Sequence, residues 1–343
     1  MRNILTTILL LAALAVAAQN YSPCYKEKYE AGVALYSKGD YNGAKAKFVA
    51  AKGCPMPNTA QADEWIKKCN AKLTSQQNSV TKTAENNLKC VVKGIAFTMV
   101  YVEGGSFTMG CTSEQGDCYD NAKPAHNVTL SDFYLGETVV TQSLWTAVMG
   151  TTLRQQQKNC GYVLRGEGAM YPMYFVEWEE CVQFCDKLNN LLSDKLPAGW
   201  HFALPTEAQW EYAARGGKHH SNYKYAGGND IGSVAWYNGN SGDQIHPVKR
   251  KKANALGLYD MSGNVDEFCA DWYDDQYYNH TPSFDPKGPI EPAVDRYNDV
   301  VEKHVARGGT RRDDADVCKV SYRGRDFVGC DNFHGFRIAL VHQ

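Results

Sequence analysis

Leu204-Pro205-Thr206-Glu207-Ala208-Gln209-Trp210-Glu211-Tyr212-Ala213-Ala214-Arg215 reads as the start and body of a short helix. Thr206 has the hydroxyl of an N-cap, and Ala208, Trp210, Tyr212 and Ala213 follow it. Upstream, Phe97-Thr98-Met99-Val100-Tyr101-Val102 and Ser106-Phe107-Thr108-Met109-Gly110 flank Gly104-Gly105, a strand-and-turn texture that begins near Cys90. Two more helices are predicted, Gln142 to Met149 and Glu179 to Leu192, the second with apolar Val182, Phe184, Leu188 and Leu191. Beyond Arg215 the chain is mostly loops held by glycine and aromatic residues. Residues 90–343 therefore read as one irregular α+β domain.

The N-terminal side has a different texture. Tyr29, Gly32, Leu35 and Tyr36 recur at helical spacing, as do Ala44, Phe48 and Ala51 after a break at Gly39-Asp40. A third helix is expected from about Thr59 to Leu73, so residues 19–73 form a small all-α module. Gly39, Tyr41, Ala44, Phe48 and Ala51 are spaced as in a tetratricopeptide unit, although a generic helical hairpin has the same pattern. Polar residues 74–89 read as a linker. Residues 1–18, with Arg2, an apolar run from Ile4 and small Ala15, Ala17 and Ala18, read as a secretory signal peptide. A largely apolar run of 15 residues, Ile4 to Ala18, is short for a membrane anchor, the competing reading.

Composition narrows the classes. Thirty-six basic against 38 acidic residues leave a formal charge of -2, too little for a nucleic-acid groove. An apolar content of 43% rules out full disorder. All 12 cysteines follow the leader, which favours disulfides in an exported chain. Cys111 and Cys118 flank a polar turn and can close a local loop, and a Cys54–Cys69 bridge is a candidate staple for the helical module. A secreted, periplasmic or cell-surface location follows, with no membrane span in the mature chain.

Several segments resemble one family in order. They are Val102-x-Gly104-Gly105-x-Phe107-x-Met109-Gly110, Pro124-x-His126-x-Val128, the helix 204–215, Asn254-x-x-Gly257-Leu258-Tyr259-Asp260-Met261-Ser262-Gly263-Asn264-Val265-x-Glu267, Arg307-Gly308-Gly309 and Gly335-Phe336-Arg337. Together they resemble the sulfatase-modifying-factor domain, the formylglycine-generating-enzyme form of the C-type-lectin-like fold, over nearly all of residues 95–341. The resemblance implies a fold rather than an activity.

In that family the enzyme binds Cu(I) through two cysteine thiolates five residues apart, soft ligands suited to the metal. Here Thr310 and Cys318 match family positions, but Asp313 stands at the first thiolate. Copper is therefore not expected, and Cys318 reads as a structural disulfide partner of Cys269 or Cys330. Asp266-Glu267-Phe268 replaces the family's Trp-Glu-Trp, thinning the aromatic wall. The resemblance also implies a calcium loop with Asp260, Gly263, Val265 and Glu267 as ligands, oxygen donors suited to the ion. A plain Gly-Asn turn with Glu267 in a buried pair is the competing reading.

The segment after Gly309 is rich in side chains that anchor interfaces: Arg311, Arg312, Asp313, Asp314, Asp316, Tyr322, Arg325, Asp326, Phe327, Asp331, Asn332, Phe333 and His334. It resembles the variable segment of retroelement-diversified proteins on this fold. Tyr273, Tyr277, Tyr278 and Phe284 can stack on a sugar ring or fill a long loop. The expected function is an exported, non-catalytic member that binds a protein or glycan ligand, with a protein partner possible at the helical module. The alternative is a formylglycine-generating oxidase pairing Cys318 with a distant thiol such as Cys330.

Overall fold

A computed structural model describes residues 21–342 except 56, 295–299 and 326–329. The expected leader, Asp326 and Phe327 lie outside the described residues. The chain divides into two compact units, with the boundary after Asn78.

The first unit is three helices: α1 (Pro23–Ser37), α2 (Tyr41–Lys52) and α3 (Thr59–Gln77). Ser22 and Asp40 cap α1 and α2, their side chains accepting from the amides of Tyr25 and Gly43. Gly32 lets α1 approach α2 closely, since a Cβ there would meet the Phe48 ring at 2.8 Å. Phe48 stacks on Trp65, whose indole N–H donates to the Tyr29 hydroxyl at 2.6 Å. The staple differs from expectation. Cys24 pairs with Cys54, while Cys69 is a buried free thiol.

The second unit begins inside the stretch expected to be a linker. α3 runs on to Gln77, and β1 (Ser79–Lys82) pairs antiparallel with β2 (Leu88–Val92). These join β3 (Ile95–Val102), β6 (Phe133–Gly136), β14 (Ala339–His342) and β7 (Trp200–Ala203) in a six-stranded sheet ordered β1-β2-β3-β6-β14-β7. The C-terminal strand thus lies between β6 and β7. β4 (Gly105–Met109) and β5 (His126–Leu130) form a hairpin, and β9 (Ala293–Val294) pairs with β10 (Val300–Val301). Helices α4 (Gln142–Met149) and α6 (Trp178–Leu192) occupy the expected segments, whereas α5 (Leu153–Cys160) had no clear signal. In the core beside the sheet, Trp145 of α4 stacks on Phe184 of α6.

A four-stranded sheet carries the site. Its order is β12 (Gly324–Arg325), β11 (His304–Arg307), β8 (Asp266–Trp272), β13 (His334–Phe336), with β13 parallel to β8. α7 (Glu207–Ala214) packs against β8, with Thr206 capping the Gln209 amide as expected. The Glu207 amide donates to Asp271 Oδ2 at 2.8 Å, fixing the helix start to β8. This is the irregular α+β architecture expected from the sequence.

Candidate functional site

Gly308 and Gly309 turn the chain out of β11 with φ of 99° and 70°. A Cβ on Gly309 would meet the Val317 carbonyl at 2.9 Å and the Cys318 sulfur at 3.1 Å, so the close return of the loop requires glycine. The following turn closes on itself. Asp313 Oδ2 accepts from the Thr310 amide at 2.7 Å, and the Thr310 hydroxyl accepts from the Arg312 amide at 3.2 Å. Asp313 thus works as a turn carboxylate. Cys318 is wholly buried beside Tyr225, Val234 and Ala235, and burial pushes its thiol well up, aided by Asp313, Asp314 and Asp266.

Neither expected disulfide of Cys318 forms. Cys330 pairs with Cys160, and Cys318 and Cys269 are free buried thiols. The Cys111–Cys118 bridge forms as expected.

A cavity of about 750 Å³ opens over this turn. Thr310, Arg312, Asp313, Tyr322, Arg325, Phe333 and His334 line it, as do Tyr119, Asn121, Asp266, Tyr273, Gln276 and Arg323. Tyr119, Asn121 and Tyr322 also border an adjoining groove of about 210 Å³, shared with Asp117, Asp316 and Lys319. Other candidates do structural work. Arg311 is buried and donates to the Asn332 carbonyl and side-chain oxygen. Asp331 accepts from the amides of Phe333 and His334. Asp314 accepts from Asn238, and Asp316 pairs with Lys319 at 2.8 Å. Among the candidate stacking residues Tyr273 faces the cavity, Tyr277 and Tyr278 are core, and Phe284 is exposed.

Beneath the cavity lies a buried charge network. Arg307 donates to Glu207 Oε1 at 2.7 Å and to Glu211 Oε2 at 2.6 Å, and Arg323 holds both oxygens of Glu207 at 2.7 and 2.9 Å. Despite burial, which acts to raise it, these two arginines hold the Glu207 carboxyl below its usual range. At the cavity floor Asp331 Oδ2 accepts from His334 Nδ1 at 2.8 Å, and the His334 ring stacks on Phe268. His334 Nε2 lies 3.6 Å from Asp266 Oδ2. Burial raises the Asp266 carboxyl to about 7, with His334 opposing and Asp331, Asp313 and Glu267 reinforcing the rise.

Glu267, an expected calcium ligand, has other partners. Its Oε2 accepts from Trp210 Nε1 at 2.7 Å and Arg337 Nε at 2.9 Å, and its Oε1 from Arg337 Nη2 at 2.8 Å. Arg337 also donates to the carbonyls of Gly136 and Tyr259. Asp260 is buried at φ 57°, with Oδ2 accepting from the Lys249 amide, and burial lifts its carboxyl to about 6. A guanidinium already neutralises Glu267, so the four-residue set does not fit a divalent ion; the arrangement matches the competing buried-pair reading.

Asp266 was visible in the sequence as a departure from the family pattern, though read only as a thinner wall. Tyr119 and Asn121 gave no signal because they come from a turn about 200 positions away from Tyr322 and Arg323, as the Asn121–Arg323 separation of 202 makes plain.

Residues 89–341 match the family model of the sulfatase-modifying factor enzyme 1-like domain. The chain belongs to this family. The chain is similar to the chaperone protein LppX of Paenibacillus barcinonensis, 33% identical in an alignment that covers 51% of this chain and 71% of that protein. It is also similar to the formylglycine-generating enzyme of Streptomyces coelicolor, 28% identical over 66% of this chain and 81% of the enzyme. Among solved structures, Treponema denticola variable protein 1 superposes with a TM-score of 0.61 and 30% identity, over 74% of this chain and 98% of that one. The family therefore contains enzymes and proteins of other names on one scaffold.

Proposed function

We propose that this chain is an exported, non-catalytic binding member of the sulfatase-modifying-factor family, with the cavity above the 308–318 turn as its ligand site. The observation that carries the reading is the state of the sulfurs. A Cu(I) site of the family kind needs two thiolates. Asp313 stands at the first position and is spent on the Thr310 amide. Cys318 is buried with its thiol pushed toward the protonated form. Cys330, the distant thiol of the oxidase alternative, is bonded to Cys160. These donors do not fit the metal.

Export draws on the apolar leader-like run and on three disulfides, which persist in oxidising compartments. Binding draws on the concave mixture of arginine, aspartate and tyrosine side chains. The name "variable protein" of the Treponema relative favours a family use in which the scaffold presents a changeable face.

The decisive assay supplies Cu(I), oxygen and a Cys-x-Pro-x-Arg peptide and follows formylglycine by mass spectrometry. No product is expected. Turnover that disappears in Cys318→Ser restores the oxidase.

A further inference from the structure

Asp120 and Asp275 line the cavity at exposed positions, and among the buried groups the ionic partners leave one carboxylate poorly compensated. Arg312 spends Nε and Nη2 on Asp243, at 2.6 and 3.0 Å. Arg323 is bidentate on Glu207, and Arg337 is bidentate on Glu267. Arg325 stands at the rim, 5.5 Å from the Tyr273 ring centroid. Asp331 has His334 Nδ1 and two amides, and Asp313 has the Thr310 amide. Asp266 differs. Its side chain is only 16% exposed, its buried Oδ1 accepts no hydrogen bond, and its Oδ2 is 3.6 Å from the nearest cationic candidate, His334 Nε2. Oδ2 is the oxygen left open to the cavity, and a largely buried carboxylate with so little compensation is costly, so a ligand that donates to Oδ2 offsets part of that cost.

The surroundings narrow the ligand. Among the described residues no three His, Cys, Asp or Glu side chains converge in a way that could hold a metal ion. Asp313 lines the same floor and adds negative charge, while Tyr273, Tyr322 and Phe333 supply aromatic wall for a flexible apolar stem. A compact ammonium with three donors on a methylene chain meets both demands. The adjoining groove shares Tyr119, Asn121 and Tyr322 with the cavity, giving room on that side for the chain that carries the inserted side chain.

We propose that the cavity receives a protonated lysine side chain of a protein partner, its ammonium donating to Asp266 with Asp313 beside it. This rests on reading the cavity as a ligand site. It also predicts a pH dependence. Burial raises Asp266 to about 7, and the groups facing it are Glu267 on its own strand, Asp313 and Cys318 on the turn, Tyr322 just beyond it, His334 of β13 and Asp331 before that strand. The cation selects the ionised form, so affinity is present above that value and lost as pH falls through it.

The test is calorimetric titration of the full chain with a blocked pentapeptide carrying one central lysine, with its Nε-acetylated twin and with glucosamine. The lysine peptide is expected to bind, with affinity falling about tenfold from pH 8 to pH 6. Its acetylated twin is expected to bind at least about tenfold more weakly at pH 8. Asp266→Asn, a neutral isostere, should lose both the affinity and the pH dependence. Equal binding of the acetylated peptide, unchanged binding by Asp266→Asn, or binding of glucosamine alone overturns the proposal. Should that variant fail to fold, a flat pH profile of the wild type overturns it alone. Formylglycine formation is read separately, so failure of lysine binding leaves the non-catalytic reading standing, and turnover does not decide the lysine question.

Discussion

Arg307 is wholly buried and bridges two carboxylates on successive turns of α7, those of Glu207 and Glu211. Replacing it with leucine leaves Glu211 buried with only Arg215 and the Gly110 amide, and Glu207 with only Arg323 as a cation. Removing one partner of a buried ion pair typically costs about 3–5 kcal/mol, and that loss is expected for Arg307→Leu in urea denaturation. Lysine should not restore it, because one ammonium cannot reproduce the two-pronged geometry. Glu267 supports a sharper test. If its role is the Arg337 pair, Glu267→Gln lowers the melting temperature equally in calcium and in EDTA. A loss seen only in calcium would reinstate the ion. The sequence named this residue and both of its roles, yet the choice turned on Arg337, 70 positions away, whose approach no local pattern encodes.

The elements show which signals are local. The helix Glu207–Ala214 was legible because capping and apolar spacing lie within one turn of each other. The false linker failed for a physical reason: β1 is an edge strand hydrogen-bonded to β2 alone, and polar edge strands carry little of the alternation that marks a strand. Disulfides divide the same way. Cys111–Cys118 spans seven residues and was readable from its turn, whereas Cys160–Cys330 spans 170 and follows only from the fold. In the helical unit, the bridge from Cys24 to Cys54 closes a 30-residue separation, enough to constrain the unfolded chain by roughly 3–4 kcal/mol. Cys24→Ser with Cys54→Ser should lower the stability of that unit by this order. The denatured, unreduced chain should yield six thiols to Ellman's reagent, matching Cys69, Cys90, Cys181, Cys185, Cys269 and Cys318. Four or fewer would mean a further pair.

At the scale of the molecule, the buried carboxylates set how stability responds to pH. Burial raises Asp260 to about 6, Asp266 to about 7 and Asp271 to about 8, the last with Glu207 reinforcing the rise. A carboxyl with a raised folded value binds its proton more tightly in the native state than in the unfolded chain. Its contribution is complete below the unfolded value and is lost as pH climbs through the folded one. The paired carboxylates Glu114, Glu207 and Asp331 are held low, and their contribution disappears at the acid end instead. The two sets bracket a maximum in mildly acidic solution. The main calorimetric transition should therefore fall at higher temperature near about pH 5 than near about pH 8. Asp266→Asn should flatten part of that slope, because an amide has no proton to lose and keeps the shape of the side chain. A curve that rises from pH 5 to pH 8 would mean that the floor carboxylates are ionised at neutral pH without cost, and it would remove the charge argument for a cationic ligand.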